Sequence, residues 1–188
     1  ALTQIKVVTA HGLMGGKASA FRPDDPLTMG VLGDLVAGLT GHDAPIAADP
    51  GAPATIAQLD AQLVKALGLL PTAQGFTASL RASGMTPPKN FGTETVARLL
   101  GLRVDHPQAQ DALELSQYDT ATRAEAAYSA AHILGFGGWE VDSVLKAAPT
   151  FSLPALTPNQ KAILQVSLSF VGLPYIWGGT SERPQDPF

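Results

Sequence analysis

Asp119-Thr120-Ala121-Thr122-Arg123-Ala124-Glu125-Ala126-Ala127-Tyr128 opens the most clearly signposted helix in the chain. Thr122 stands just before an apolar-periodic run of Ala124, Ala127, Tyr128, Ala131 and Leu134, with Glu125 three positions on. That spacing predicts a capping box, in which the Thr122 hydroxyl accepts from the third helical amide and Glu125 reaches back to the Thr122 amide. Two further threonines hold the same place. Thr28 precedes Val31, Leu32, Leu35, Val36 and Leu39; Thr55 precedes Ile56, Leu59, Leu63, Leu67 and Leu70, with Gln58 completing a second box. Each cap is worth about 1 kcal/mol.

The approach to these starts also recurs. Gly12-Leu13 leads through Phe21-Arg22-Pro23-Asp24-Asp25-Pro26-Leu27 to Thr28, and Gly101-Leu102 leads through Leu115-Ser116-Gln117-Tyr118-Asp119-Thr120-Ala121 to Thr122. Asp25 and Asp119 each lie three residues before the threonine; the middle copy, Pro53-Ala54-Thr55, lacks that aspartate. A helix, a loop and a capped helix cannot bury an apolar face alone, whereas stacked copies can. An irregular helical domain with coincidental caps is the competing reading. Helical period dominates and alternating β patterns are scarce, so the fold class expected is all-α.

A shorter helix is expected from Thr93 to Gly101, and another over 141–148 after Gly135-Phe136-Gly137-Gly138. Pro149, Pro154 and Pro158 then mark a linker, drawn at 151–158. Asn159 is the expected cap of a last helix carrying Ile163, Leu164, Val166, Leu168, Phe170 and Val171, stopped by Gly172. The organisation read is a repeat module over 1–150, the linker, and a new unit from 159.

Of the 188 residues, 45% are hydrophobic and 15% charged, which supports a packed core rather than disorder. A formal charge of −4 gives no electrostatic reason to expect nucleic acid as partner. No apolar run approaches the roughly 20 residues of a membrane span. The start at Ala1 shows no basic stretch followed by an apolar run, as a trimmed secreted chain also would not. With no cysteine, no thiolate metal site or thiol nucleophile is available, and His11, His42, His106 and His132 are too scattered for a metal-ligand motif, so neither metal nor cofactor is expected.

Phe21-Arg22-Pro23-Asp24-Asp25-Pro26-Leu27-Thr28 and Thr122-Arg123-Ala124-Glu125 resemble surface-layer homology repeats. The resemblance implies three helical repeats in a pseudo-threefold bundle that holds cell-wall polysaccharide. Only the third copy keeps the full four-residue motif, since the first reads Thr28-Met29-Gly30-Val31 and the second Thr55-Ile56-Ala57-Gln58. A polymer site would then centre on Asp119, Arg123 and Glu125, with the arginine fork pairing sugar-borne carboxylates or phosphates. The plainer readings are that Thr122 and Glu125 only cap, that Arg123 pairs with Asp119 or lies in solvent, and that Tyr128 packs in the core.

Phe170-Val171-Gly172-Leu173-Pro174-Tyr175-Ile176-Trp177-Gly178-Gly179-Thr180-Ser181 resembles the opening of the catalytic domain of NlpC-type peptidases, papain-like α+β enzymes that cut peptidoglycan stem peptides. In that family a nucleophilic cysteine and a histidine base follow this segment, and here neither does before Phe188. The resemblance implies that Tyr175 is the oxyanion donor, Gly178 and Gly179 let backbone run near substrate, and Trp177 packs. The leading expectation is the front part of a secreted peptidoglycan hydrolase, itself without the catalytic pair. The alternative is a non-catalytic envelope module that binds wall polymer or another protein.

Overall fold

The structure, a computed structural model, describes residues 2–43, 47–104, 106 and 108–174. Among them are eight α-helices: α1 (Leu2–Ala10), α2 (Met29–Thr40), α3 (Ile56–Ala66), α4 (Leu70–Ala82), α5 (Phe91–Leu99), α6 (Arg123–Leu134), α7 (Trp139–Thr150) and α8 (Pro158–Leu168). Short 3-10 turns occupy Ala18–Ala20 and Gln108–Leu113. The only β-type pairings among the described residues are three isolated bridges. The described residues are therefore all-α, as the periodicity predicts.

All three threonine starts are caps: Thr28, Thr55 and Thr122 accept from the amides of Val31, Gln58 and Glu125. Only Thr55 closes a full box, with Gln58 Oε1 accepting from its amide at 2.8 Å. Glu125 does not complete the second box expected of Thr122; its carboxylate turns to His106 instead.

Other boundaries differ from the sequence reading for local reasons. The run expected from Thr55 through Leu70 breaks at Gly68 (φ +73°), where the Leu69 amide returns to Val64 O at 3.0 Å, and α4 begins with a proline in its first turn. The helix expected from Thr93 starts two residues earlier, at Phe91. Pro149 does not stop α7, because in the last turn it forgoes little beyond its own amide bond. The last helix is capped by Thr157, not Asn159, through a box with Gln160, and it ends at Leu168.

The three cap segments are tied to one another in a closed ring of backbone hydrogen bonds. Leu27 N–H donates to Ala121 O (2.8 Å), Ala121 N–H to Ala54 O (2.9 Å), and Ala54 N–H to Leu27 O (2.8 Å). Side chains at these positions are fully buried, one leucine with two alanines, so they meet without crowding. Around this ring each helix start uses its neighbour's loop. Met29 and Gly30 donate to Ala52 O and Pro50 O, Ile56 and Ala57 to Asp119 O and Gln117 O, and Arg123 and Ala124 to Asp25 O and Pro23 O. With the threonine accepting the next amide, the first three helical donors of α2, α3 and α6 are satisfied without water.

The remaining helices pack around this hub. Ala126, Ala127 and Ala130 give α6 a flat buried face, against which α1 sets Ile5 and Val8. α5 lies between α3 and α4. At Gly92 it passes so close to α4 that a Cβ would fall 2.0 Å from Ala73 O. α7 rests on α4, and beyond it Phe151 meets Phe76 edge-on at 5.2 Å. α8 is fixed by Gln165, which donates to Thr86 O at 2.7 Å and accepts from Thr86 N–H at 2.8 Å. Its Ile163 and Val166 and the following Phe170 are exposed, while Leu168 is buried against the core.

Candidate functional site

Asp119, Arg123 and Glu125 each make a different local contact. Asp119 Oδ2 accepts from Ser116 N–H at 2.7 Å, shaping the turn before the cap. Arg123 neither pairs with Asp119 nor lies in solvent. Its Nε donates to Phe21 O at 2.8 Å and its Nη2 to Met14 O at 3.1 Å, with the guanidinium 4.6 Å above the Phe21 ring. The arginine thus pins the loop between α1 and α2, where Met14 and Arg22 have φ of +58° and +54°. Tyr128 is half-buried and stacks parallel to exposed His132, at 6.1 Å between centroids. Tyr175, the expected oxyanion donor, lies outside the described residues, as do Trp177, Gly178 and Gly179.

The densest chemistry sits elsewhere, in a polar seam between α3, α5 and α6. Asp60 on α3 and Glu94 on α5 are each 1% exposed and share one cation. Arg103 Nη1 lies 3.2 Å from Asp60 Oδ2 and 3.2 Å from Glu94 Oε1, while its Nη2 donates to Leu115 O at 2.8 Å. Arg98 approaches Glu94 Oε1 from the solvent side at 2.7 Å. Asp60 Oδ1 is buried without a hydrogen bond. Next to this group His106 Nε2 is 3.5 Å from Glu125 Oε1, an ion-pair distance without a hydrogen bond, and the His106 amide donates to Glu114 Oε1 at 2.5 Å.

Burial dominates the electrostatics of this seam. It raises the Asp60 carboxyl from its ordinary 3.8 to about 7, with Arg103 opposing and Glu94 adding to the rise. Glu125 is also pushed up by burial, against the pull of His106 and Arg103. For Asp60 and Glu125 the compensating charge in this dry site falls short of the cost of burial, so the protonated form of each is favoured. The seam can store and release a proton. The nearby Ser129 hydroxyl donates to Leu102 O at 2.6 Å.

Periodicity carried a signal for part of this site. Asp60 falls between Ile56 and Leu63–Val64 on the inward face of α3, where an apolar residue is expected. Glu94 has Arg98 one turn on, an i,i+4 pair visible in sequence. Arg103, His106 and Glu114 come from an irregular loop, and nothing in their spacing announces where they fold. No protein-family model, curated protein or solved structure matches this chain.

Proposed function

We propose that this chain is the non-catalytic leading part of a secreted peptidoglycan hydrolase. Residues 1–150 form three repeats of the surface-layer homology type, which place an NlpC-type peptidase domain, opening at 159–188, at the cell envelope. The observation that carries the repeat reading is the closed ring Leu27–Ala121–Ala54 with its three matched helix starts, a connectivity that independent helices have no reason to adopt. The peptidase reading rests on the sequence resemblance around Tyr175. The chain itself is inert toward stem peptides, having no cysteine to attack with.

The internal use of Arg123 favours a second reading, that of a scaffold whose repeats position other parts of an envelope protein rather than grip polymer. Sedimentation of the native chain with purified cell walls separates the two. Co-sedimentation that survives moderate salt supports wall binding, with the third repeat around Asp119, Arg123 and Glu125 as its centre. A chain left in the supernatant removes polymer binding. Intact-mass analysis of the secreted protein tests the parent: a cysteine-containing peptide after Phe188 supports the hydrolase, and a continuation without cysteine and histidine overturns it.

A further inference from the structure

The arginine shared by the buried carboxylates also bonds to the chain two residues from the place where the segment after α8 docks on the module. Arg103 spends one arm on Asp60 and Glu94 and the other on Leu115 O. Two residues on, Gln117 grips the segment after α8: its amide donates to Gly172 O at 2.8 Å and its Nε2 to Val171 O at 3.0 Å. The approach is close enough that a Cβ on Gly172 (φ +88°) would lie 2.5 Å from the Gln117 side chain. Asn90 steadies Gln117 through a 3.3 Å bond to Oε1, and Arg98, the other partner of Glu94, reaches Leu173 O at 3.5 Å. Both arginines of the cluster thus end on, or next to, the grip on 171–173.

We propose that the Asp60–Glu94–Arg103 cluster is a proton-operated clasp on this docked segment, which stays shut while the carboxylate pair holds a proton and is biased open when that proton leaves. The groups facing the pair are Arg103, from the loop after α5, and Arg98, from α5 itself. Glu125 of α6, with His106 and Glu114, lies on the other side of Arg103. Lys6 of α1, Asp34 of α2 and Arg81 of α4 are exposed and make no hydrogen bond or ion pair to the cluster. Opening the seam returns Asp60 to water and to its ordinary acidity. The closed form therefore binds the proton more tightly, and rising pH favours the open one. A carboxyl titrating near 7 when closed and near 3.8 when open makes the opening equilibrium grow about tenfold from pH 6 to pH 8. On the reading proposed above, which this inference deepens, the clasp sets how firmly the start of the peptidase domain is held to the module.

Amide hydrogen exchange on the whole chain tests it, read at Gln117, whose N–H is the bond in question. After correction for intrinsic exchange, its protection should fall about tenfold between pH 6 and pH 8. In Asp60→Asn, which keeps the shape of the protonated form, protection should stay level. A tenfold fall retained in the variant overturns the proposal, as does level protection in the native chain. Should Asp60→Asn fail to fold, carboxyl carbon NMR of the native chain decides. A midpoint near 7 for Asp60, shared by the Gln117 amide shift, supports the clasp; a midpoint below 5, or a Gln117 shift that ignores it, overturns it. Wall sedimentation tests the module and amide exchange tests the clasp, so either can fail alone.

Discussion

Arg123→Ala should unfold the chain more readily than any surface substitution, and the size of the loss can be worked out from its contacts. Two charge-assisted bonds, to Phe21 O and Met14 O, disappear together with the guanidinium's cover over the Phe21 ring. A hydrogen bond to a charged group contributes about 1.5–3 kcal/mol, and a partly desolvated cation–π contact about 1 kcal/mol. Arg123 is only half-buried, so water can reach part of the site and recover some of this. The expected loss is about 2–4 kcal/mol, out of about 5–15 for a whole domain, and roughly 5–15 °C in Tm. Urea denaturation should show a lowered midpoint with an unchanged slope. Arg123→Lys should recover less than half, because an ammonium cannot span two carbonyls as the planar fork does. A loss below about 0.5 kcal/mol would refute the reasoning and return Arg123 to the surface. The same arithmetic bears on binding: if Arg123→Ala loses wall affinity and stability together, the arginine cannot be assigned to the polymer.

Two further substitutions probe the hub and the α4–α5 contact. Leu27→Ala empties the one large side chain in the ring of Leu27, Ala54 and Ala121, and should cost about 2–5 kcal/mol in urea denaturation; under 1 kcal/mol would mean the ring is not the centre of the core. Gly92→Ala forces a methyl against the Ala73 carbonyl at a place where backbone, not a flexible side chain, must move, and should cost more than about 3 kcal/mol by the same assay, with a native-like Tm as the contrary result.

What the sequence made legible was local. Thr28, Thr55 and Thr122 could be read as helix starts because capping is settled within four residues, and the box at Thr55–Gln58 formed as read. Glu125 illustrates the limit. Its spacing is right for a box, but His106 lies within reach in the fold, and a nonlocal partner outcompetes the local one. Asn159 does not cap the last helix because Thr157, followed by Pro158 and Gln160, has the stronger combination of box and proline at the first helical position. The break at Gly68 was hidden by a leucine pattern that continues through Leu67 and Leu70 across two helices. Of the seam, Asp60 was readable as a carboxylate on an inward face and Glu94 as the i,i+4 partner of Arg98, while their shared cation was not.

That cation also bears on how helix starts of different sequence join the same ring. Arg123 at the first position of α6 donates to Phe21 O, two residues before the Pro23 carbonyl that takes the Ala124 amide. In the matching place on α3 stands Ile56, which has no donor to offer. The carbonyl equivalent to Phe21 O is Leu115 O, two residues before the Gln117 carbonyl that takes the Ala57 amide. Arg103 supplies the missing guanidinium there from the opposite side, at 2.8 Å. At these two starts a guanidinium sits on that carbonyl, brought by different parts of the chain; α2 begins with Met29 instead and closes the same ring. Arg103 Nη1 lies at the same time 3.2 Å from Asp60 Oδ2 and 3.2 Å from Glu94 Oε1, which is why a buried carboxylate pair is tolerable at that interface.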